Sequence, residues 1–467
     1  MRIGAAAIRF LAAPLIAAAT AFAACVAPAQ AQGLSVIRDV EIEETLDVYT
    51  RPLLEAANID PSRVRLVLIG DASINAFVAE GERIHVHTGL IMRARNPNEL
   101  IGVLAHETGH ISGGHLARST EAMNRSMRPA LIAIGLGILA IASGAPDAGA
   151  AIISGSGQFA QGNFVRYTNT WEASADQAGA DFLERSGQSG RGLITFFNRE
   201  FRPYEFAARR APAWVVTHPF TSDRIEALRV RVENAEHYDA QDTPENIRRF
   251  EFMQAKLIGF IEPLARTLQR YPPSDLSQPA RYARAIAYCG CGIQSRVPDL
   301  PRALAEISSL TQEDPSNPFF HELHGQILFE NRRFEESIAH HRRSLELRPR
   351  TPLFEINLAR ALIAARGRAG ADEAIALLEH ATHAEPDNAF AWTERAAAHD
   401  LRGEDGLARL ASAERSYVIG DFGGARNFAE RARRTLEQGS VAWQRASDIV
   451  ASVQNIMGDD RGGRPPS

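Results

Sequence analysis

The sequence has 467 residues, 45% of them hydrophobic and 23% charged. That composition excludes global disorder and a collagen-like fibre, and the length allows about two or three domains. With 51 basic against 56 acidic residues the net charge is −5, so no basic excess argues for a nucleic-acid partner. Lysine occurs once, as Lys256, which we read as compositional bias.

Arg2 and Arg9 flank the start of an apolar Ala/Leu/Ile run that reaches Val26, and Ala29-Gln30-Ala31 follows with small residues. A charged end, an apolar middle and a small-residue cut site describe a signal peptide, residues 1–31, removed after Ala31. A lipoprotein cut before Cys25 and a retained anchor are the alternatives. Export points to the periplasm, with outer-membrane association left open. The mature chain then keeps Cys289 and Cys291 in an oxidising compartment. One intervening residue is too few for an unstrained bridge, so two buried free thiols in a helix are expected.

Asn75–Val78 and Ile84–Thr88 alternate in strand fashion. An extended substrate could pair along an exposed edge through Asn75, Ala76 and Phe77. His85 and His87 share a strand face and read as ordinary strand residues rather than a second metal site.

The next element, 96–117, begins with Asn96 as cap, Pro97 in the first helical position and Glu99 in the third, a capping-box start. On this helix lies His106-Glu107-Thr108-Gly109-His110. Two histidines four residues apart project from one face and can grip a single zinc ion. Glu107 beside them can serve as general base toward water. A buried His/Glu/His trio without a metal would be costly. A metzincin would place a third histidine at position 116, which is leucine; His115 falls one residue early. The alternative is a carboxylate from a later helix. Glu172 and Asp176 are four apart on one helix face, so Glu172 can complete the donor set while Asp176 orients a ligand.

Between these motifs, 129–165 carries one charge, Asp147. Its apolar core, Leu131–Ile141, is shorter than the ~20 residues of a membrane-spanning helix. It reads as a mobile lid over the cleft, or as a patch making peripheral contact with lipid or a client.

In the second half, Pro315 and Pro349 are 34 residues apart and Pro386 follows after 37, close to the tetratricopeptide period. Helices over Ala303–Leu310, Phe334–Leu347 and Ala374–Ala384 precede these turns, with partner helices Phe319–Glu330, Leu353–Ala365 and Phe390–Leu401. Such pairs stack into a superhelix with a concave binding surface. His340-His341 reads as surface. The resulting division is 1–31 signal peptide, 32–265 catalytic domain, 266–450 repeat domain and 451–467 disordered tail.

Four segments together resemble a family of gluzincin metalloproteases that includes the CAAX prenyl protease and the HtpX heat-shock protease. They are the stretch from Asn75 to Leu90, the His106–His110 motif, Glu172-Ala173-Ser174-Ala175-Asp176, and Thr217-His218-Pro219 followed by Arg224-Ile225. The resemblance covers about residues 35–235. It implies a mainly α fold with a small β-sheet, a gluzincin-type zinc protease domain followed here by the tetratricopeptide α-solenoid. It implies one Zn2+ per chain held by His106, His110 and Glu172, with Glu107 as base. It implies that His218 lies near the metal, either coordinating and inhibiting or assisting catalysis, and that Arg224 packs beside the site. Where the family usually has E-x-E-A-D, this chain has Ser174 in the middle. Periplasmic members imply misfolded or stalled outer-membrane proteins as clients and the beta-barrel assembly machinery as a partner reached through the repeats. The competing reading is a chaperone or scaffold that retains the zinc fold and works by binding.

Overall fold

The computed structural model describes residues 35–79, 81–118, 168–201, 221–292 and 298–462, together with Ile132, Ala133, Leu136 and His218. The expected signal peptide and nearly all of the uncharged 129–165 stretch lie outside the described residues.

The described residues are mostly helical, with one small mixed sheet among them. Strands β1 (Val36–Ile37), β2 (Arg65–Ile69), β3 (Ala76–Ala79) and β4 (Arg83–His87) are ordered β1-β2-β4-β3. β2 and β4 are parallel, from Arg65↔Arg83 to Ile69↔His87, and the other pairs are antiparallel. β3 is therefore an edge strand. Helix α1 (Val40–Ala56) buries Ile42, Leu46, Tyr49 and Leu53, a three- and four-residue spacing that lays one stripe into the core. After the short α2 (Thr88–Arg93), α3 (Pro97–Ser112) carries the histidine motif through the middle of the domain. It packs against α4 (168–185) and α5 (Arg191–Glu200), and α6 (Ser222–Glu233) closes the far side. Ile84, Val86, Leu100, Leu104, Leu183, Phe196 and Phe197 belong to this first core.

Helix α7 (Pro244–Ile261) belongs to two cores at once. Phe250, Met253 and Leu257 join the first core. Phe252 and Ala255, on the opposite face by helical period, join a second with Tyr282, Ile286 and Phe320. The division expected at 265 falls just past the end of this helix, which the two halves share because its residues are apolar on both faces.

The array continues through α8 (Leu264–Arg270), α9 (Gln278–Cys289), α10 (Leu300–Glu313), α11 (Pro318–Glu330), α12 (Phe334–Leu347) and α13 (Pro352–Arg366). It ends with α14 (Ala371–Ala384), α15 (Ala389–Arg402), α16 (Asp405–Val418), α17 (Phe422–Arg433) and α18 (Val441–Gly462). From α9 onward each helix packs against its successor. Capping residues set the starts: Asn317 and Asn388 each accept two backbone N–H bonds at α11 and α15, and Pro318 and Pro352 fill first-turn positions. The array returns to the first domain. Arg38 meets Glu385 at 2.8 Å and Arg65 meets Asp387 at 3.1 Å, while Arg348 pairs with Glu44. Between the halves lies a cavity of about 540 Å³ whose lining includes Phe260, Phe319, Phe329, Phe354 and Phe390. Among the described residues no helix is long and apolar enough to cross a membrane.

Three local expectations are corrected. The tail expected to be disordered from 451 is helical to Gly462, because Ile449, Val450 and Val453 pack on Ala425, Ala429 and Ala432. Cys289 and Cys291 are joined as a disulfide. Helix α9 ends at Cys289, so Cys291 lies outside it and the Cα atoms come within 5.2 Å, inside the range a bridge accepts. His341, expected at the surface, is 2% exposed and sits against Gly325.

Candidate metal centre

Asn96 starts α3 as expected, accepting the Glu99 N–H at 2.9 Å. Glu99 accepts from Arg95 N–H rather than from the cap residue, at 2.8 Å. In the last two turns of the helix, His106 and His110 face α4. Gly109 makes the approach of the two helices possible, since a Cβ there would lie 2.6 Å from the Ala175 carbonyl oxygen.

Four groups converge: His106, His110, Glu172 and His218, all buried, with one donor atom of each within 4.8 Å of the others. Nε2 of His106 and Nε2 of His110 are 3.1 Å apart. Each is 3.4 Å from a Glu172 oxygen. Nδ1 of His218 is 3.4 Å from His106 Nε2 and 3.0 Å from Glu172. Donors arranged tetrahedrally about one Zn2+ at ~2.0–2.2 Å stand roughly 3.3–3.6 Å apart. The observed separations, 3.0–3.4 Å, lie at or a few tenths of an ångström below that spacing, and imidazole with carboxylate is a zinc donor set. The residues present therefore fit the metal.

The surrounding charges favour a cation. Burial opposes the charged form of His106, but Asp176, 3.0 Å from its Nδ1, and Glu172 outweigh it and raise the imidazole to about 10. The same two carboxylates would stabilise a metal ion in place of that proton. Glu172 stays well below the usual carboxylate range: burial raises it, and His218 and His106 more than offset that. His110 is pushed far down by burial and by the neighbouring His106 charge, which leaves a neutral ring. Arg224 grips Asp176 with two bonds, 2.8 and 3.0 Å, and reaches Glu172 at 3.2 Å. It is held at the start of α6, where Thr221 caps its N–H.

Glu107 is fully buried and stands 3.8 Å from His218 Nε2. Burial pushes its carboxyl up, while His218, His106 and the Val78 backbone pull it down. Val78 belongs to β3, so the carboxylate faces the edge strand. Asn75 precedes β3 and its carbonyl accepts His87 N–H at 3.0 Å. Ala76 is buried, and Phe77 stacks on His85 at 4.8 Å. His85 and His87 are thereby used within the sheet, away from the metal donors.

Buried imidazoles and a carboxylate, with a second buried glutamate alongside, make this a zinc metallopeptidase. Residues 41–232 match Peptidase family M48, a span that includes every residue of the donor set. Beyond that span the likeness continues through the array. The chain is 24% identical to the beta-barrel assembly-enhancing protease of Escherichia coli K12 over 429 residues, 90% of this chain and 85% of that one. It is 25% identical to the protein of the same name from Yersinia pestis, covering 81% and 76%. The metalloprotease LoiP of Escherichia coli K12 is 26% identical over 41% of this chain and 71% of its own.

Proposed function

We propose that this is an exported zinc endopeptidase acting on outer-membrane proteins during beta-barrel assembly. The observation that carries the reading is the convergence of His106, His110, Glu172 and His218 beside buried Glu107, next to an edge strand. Names of relatives similar over most of the chain support the choice of client.

In this reading His106, His110 and Glu172 hold the zinc, and Asp176 and Arg224 position them. When bound, the metal supplies Lewis-acid polarisation of the scissile carbonyl and of the attacking water. Glu107 takes the proton from that water and returns it to the leaving amine; its burial strengthens it as a base. The β3 edge through Asn75, Ala76 and Phe77 aligns an extended client by main-chain pairing, which demands little of its sequence. His218 would offer a fourth donor atom and, held there, would compete with a substrate for the site.

The helical array fits tetratricopeptide repeats, with Gly325 and Ala359 at close-packed positions. Clients or the assembly machinery would bind the array, with the phenylalanine-lined cavity between it and the peptidase as a candidate seat. The test is metal analysis with cleavage of an unfolded protein such as casein, on wild type and Glu107→Gln. One zinc per chain with cleavage lost in the variant supports the reading. A wild-type protein without zinc, or equal cleavage by both, overturns it.

A further inference from the structure

His115 takes no part in the donor set, yet it is built against it. Its Nδ1 lies 3.0 Å from Nδ1 of His110. The residue is 5% exposed, and its ring stacks on Trp171 with centroids 5.8 Å apart and 18° between planes. Two glycines bring it there. Gly114, at φ 60°, turns the chain just past the end of α3, a conformation that penalises a Cβ. Gly113 leaves the space the ring occupies: a Cβ there would collide with Nε2 and lie 2.7 Å from Cε1 of His115.

His110 points Nε2 toward His106 and Glu172, so Nδ1 is the far side of its ring. An imidazole that donates a lone pair to a metal from Nε2 carries its proton on Nδ1, and the acceptor of that proton sets tautomer and ring plane. For His106 the corresponding atom faces the Asp176 carboxylate at 3.0 Å. For His110 it faces His115.

We infer that His115 is the positioning residue of His110, accepting its Nδ1–H at Nδ1 while keeping its own proton on Nε2. Trp171 clamps His115 from α4 and immediately precedes Glu172, so one aromatic contact ties the settings of ligands from two helices. A neutral acceptor is weaker than a carboxylate, which makes His110 the more loosely tethered of the two histidine ligands. This rests on the metal-centre reading above.

The test uses the full chain loaded with zinc. His115→Phe keeps a flat ring on Trp171 and removes the nitrogen. His115→Asn keeps a polar atom near the Nδ1 position and removes the stacking. The readouts are the rate of zinc loss to excess chelator and the visible spectrum of the cobalt(II)-loaded protein, with circular dichroism as the check on folding. His115→Phe is expected to lose zinc about 10–100-fold faster with altered cobalt bands, and His115→Asn to recover most of both. His115→Leu replaces the phenylalanine variant should that fail to fold. Zinc retention by the apolar variant equal to wild type overturns the inference, as does equal impairment of a folded His115→Asn. A wild-type chain that binds no zinc removes the metal-centre reading itself, a different result from wild-type binding with indifferent His115 variants.

Discussion

Lys256 is 2% exposed and meets Asp39 at 2.7 Å and Glu41 at 3.2 Å, while the Tyr282 hydroxyl donates to Glu41 at 2.9 Å. Burial disfavours its charge, but Asp39, Tyr282 and Glu41 hold the ammonium well above its ordinary value. Glu322, buried nearby, is pushed up to about 7 by desolvation against the pull of Lys256, and Glu41 is raised for the same reason. Lys256→Met keeps the stem and deletes the only ammonium of this joint between α1, α7, α9 and α11. Removing one partner of a buried ion pair costs about 3–5 kcal/mol. The stranded acids can escape by binding protons. Protonating a carboxyl of ordinary pKa ~4.3 costs about 1 kcal/mol at pH 5 and about 5 kcal/mol at pH 8. A raised folded pKa means that the native chain holds protons the unfolded chain releases. That stability is complete below the unfolded pKa and is lost as pH rises through the folded one. The variant should therefore lose about 3–5 kcal/mol at pH 8 and roughly 1 kcal/mol at pH 5. Urea unfolding of both proteins at the two pH values measures it. Equal losses at pH 5 and pH 8, or a loss under about 1 kcal/mol at pH 8, would refute the reasoning.

Glu107→Gln should keep the zinc and lower the rate of peptide cleavage by about 10²–10⁴-fold; stopped assays beside metal analysis check it, and loss of metal would contradict the assigned role. His218→Ala should raise cleavage of unfolded protein, because it removes the donor competing with substrate; a fall in rate would make the residue an assistant in catalysis. Arg224→Met leaves Asp176 and Glu172 without their guanidinium, and zinc affinity measured by chelator competition should fall about 10–100-fold.

The metal helix was legible because its signal is local. A four-residue spacing puts His106 and His110 on one face whatever surrounds them, and Glu172 and Asp176 obey the same period. The edge strand and the array helices were legible for similar reasons of alternation and period. His218 has no local signal; a histidine before a proline becomes a candidate donor only once the chain has returned across 46 residues to Glu172. Arg224 was placed beside the site by the resemblance alone, and His115 was invisible in its role, since each acts through a contact between elements. Lys256 shows the limit most clearly. Read as compositional bias, the single lysine is the buried cation of the joint, and nothing in its neighbours along the chain announces that. The helical end of the chain was missed because Ile449, Val450 and Val453 are too few to signal a helix until Ala425, Ala429 and Ala432 offer a surface.

Helix α7 has consequences for how the molecule could be divided. Met253 faces one core and Ala255 the other, so no cut in the chain separates two finished bodies. A fragment ending after α7 would present the Phe252 side to water, and one beginning after it would lack the wall against which Tyr282 and Phe320 pack. The peptidase and the array share a spine: the helix that walls the second core also packs, through Phe250, Met253 and Leu257, in the core that holds Leu100 and Leu104 of the metal helix.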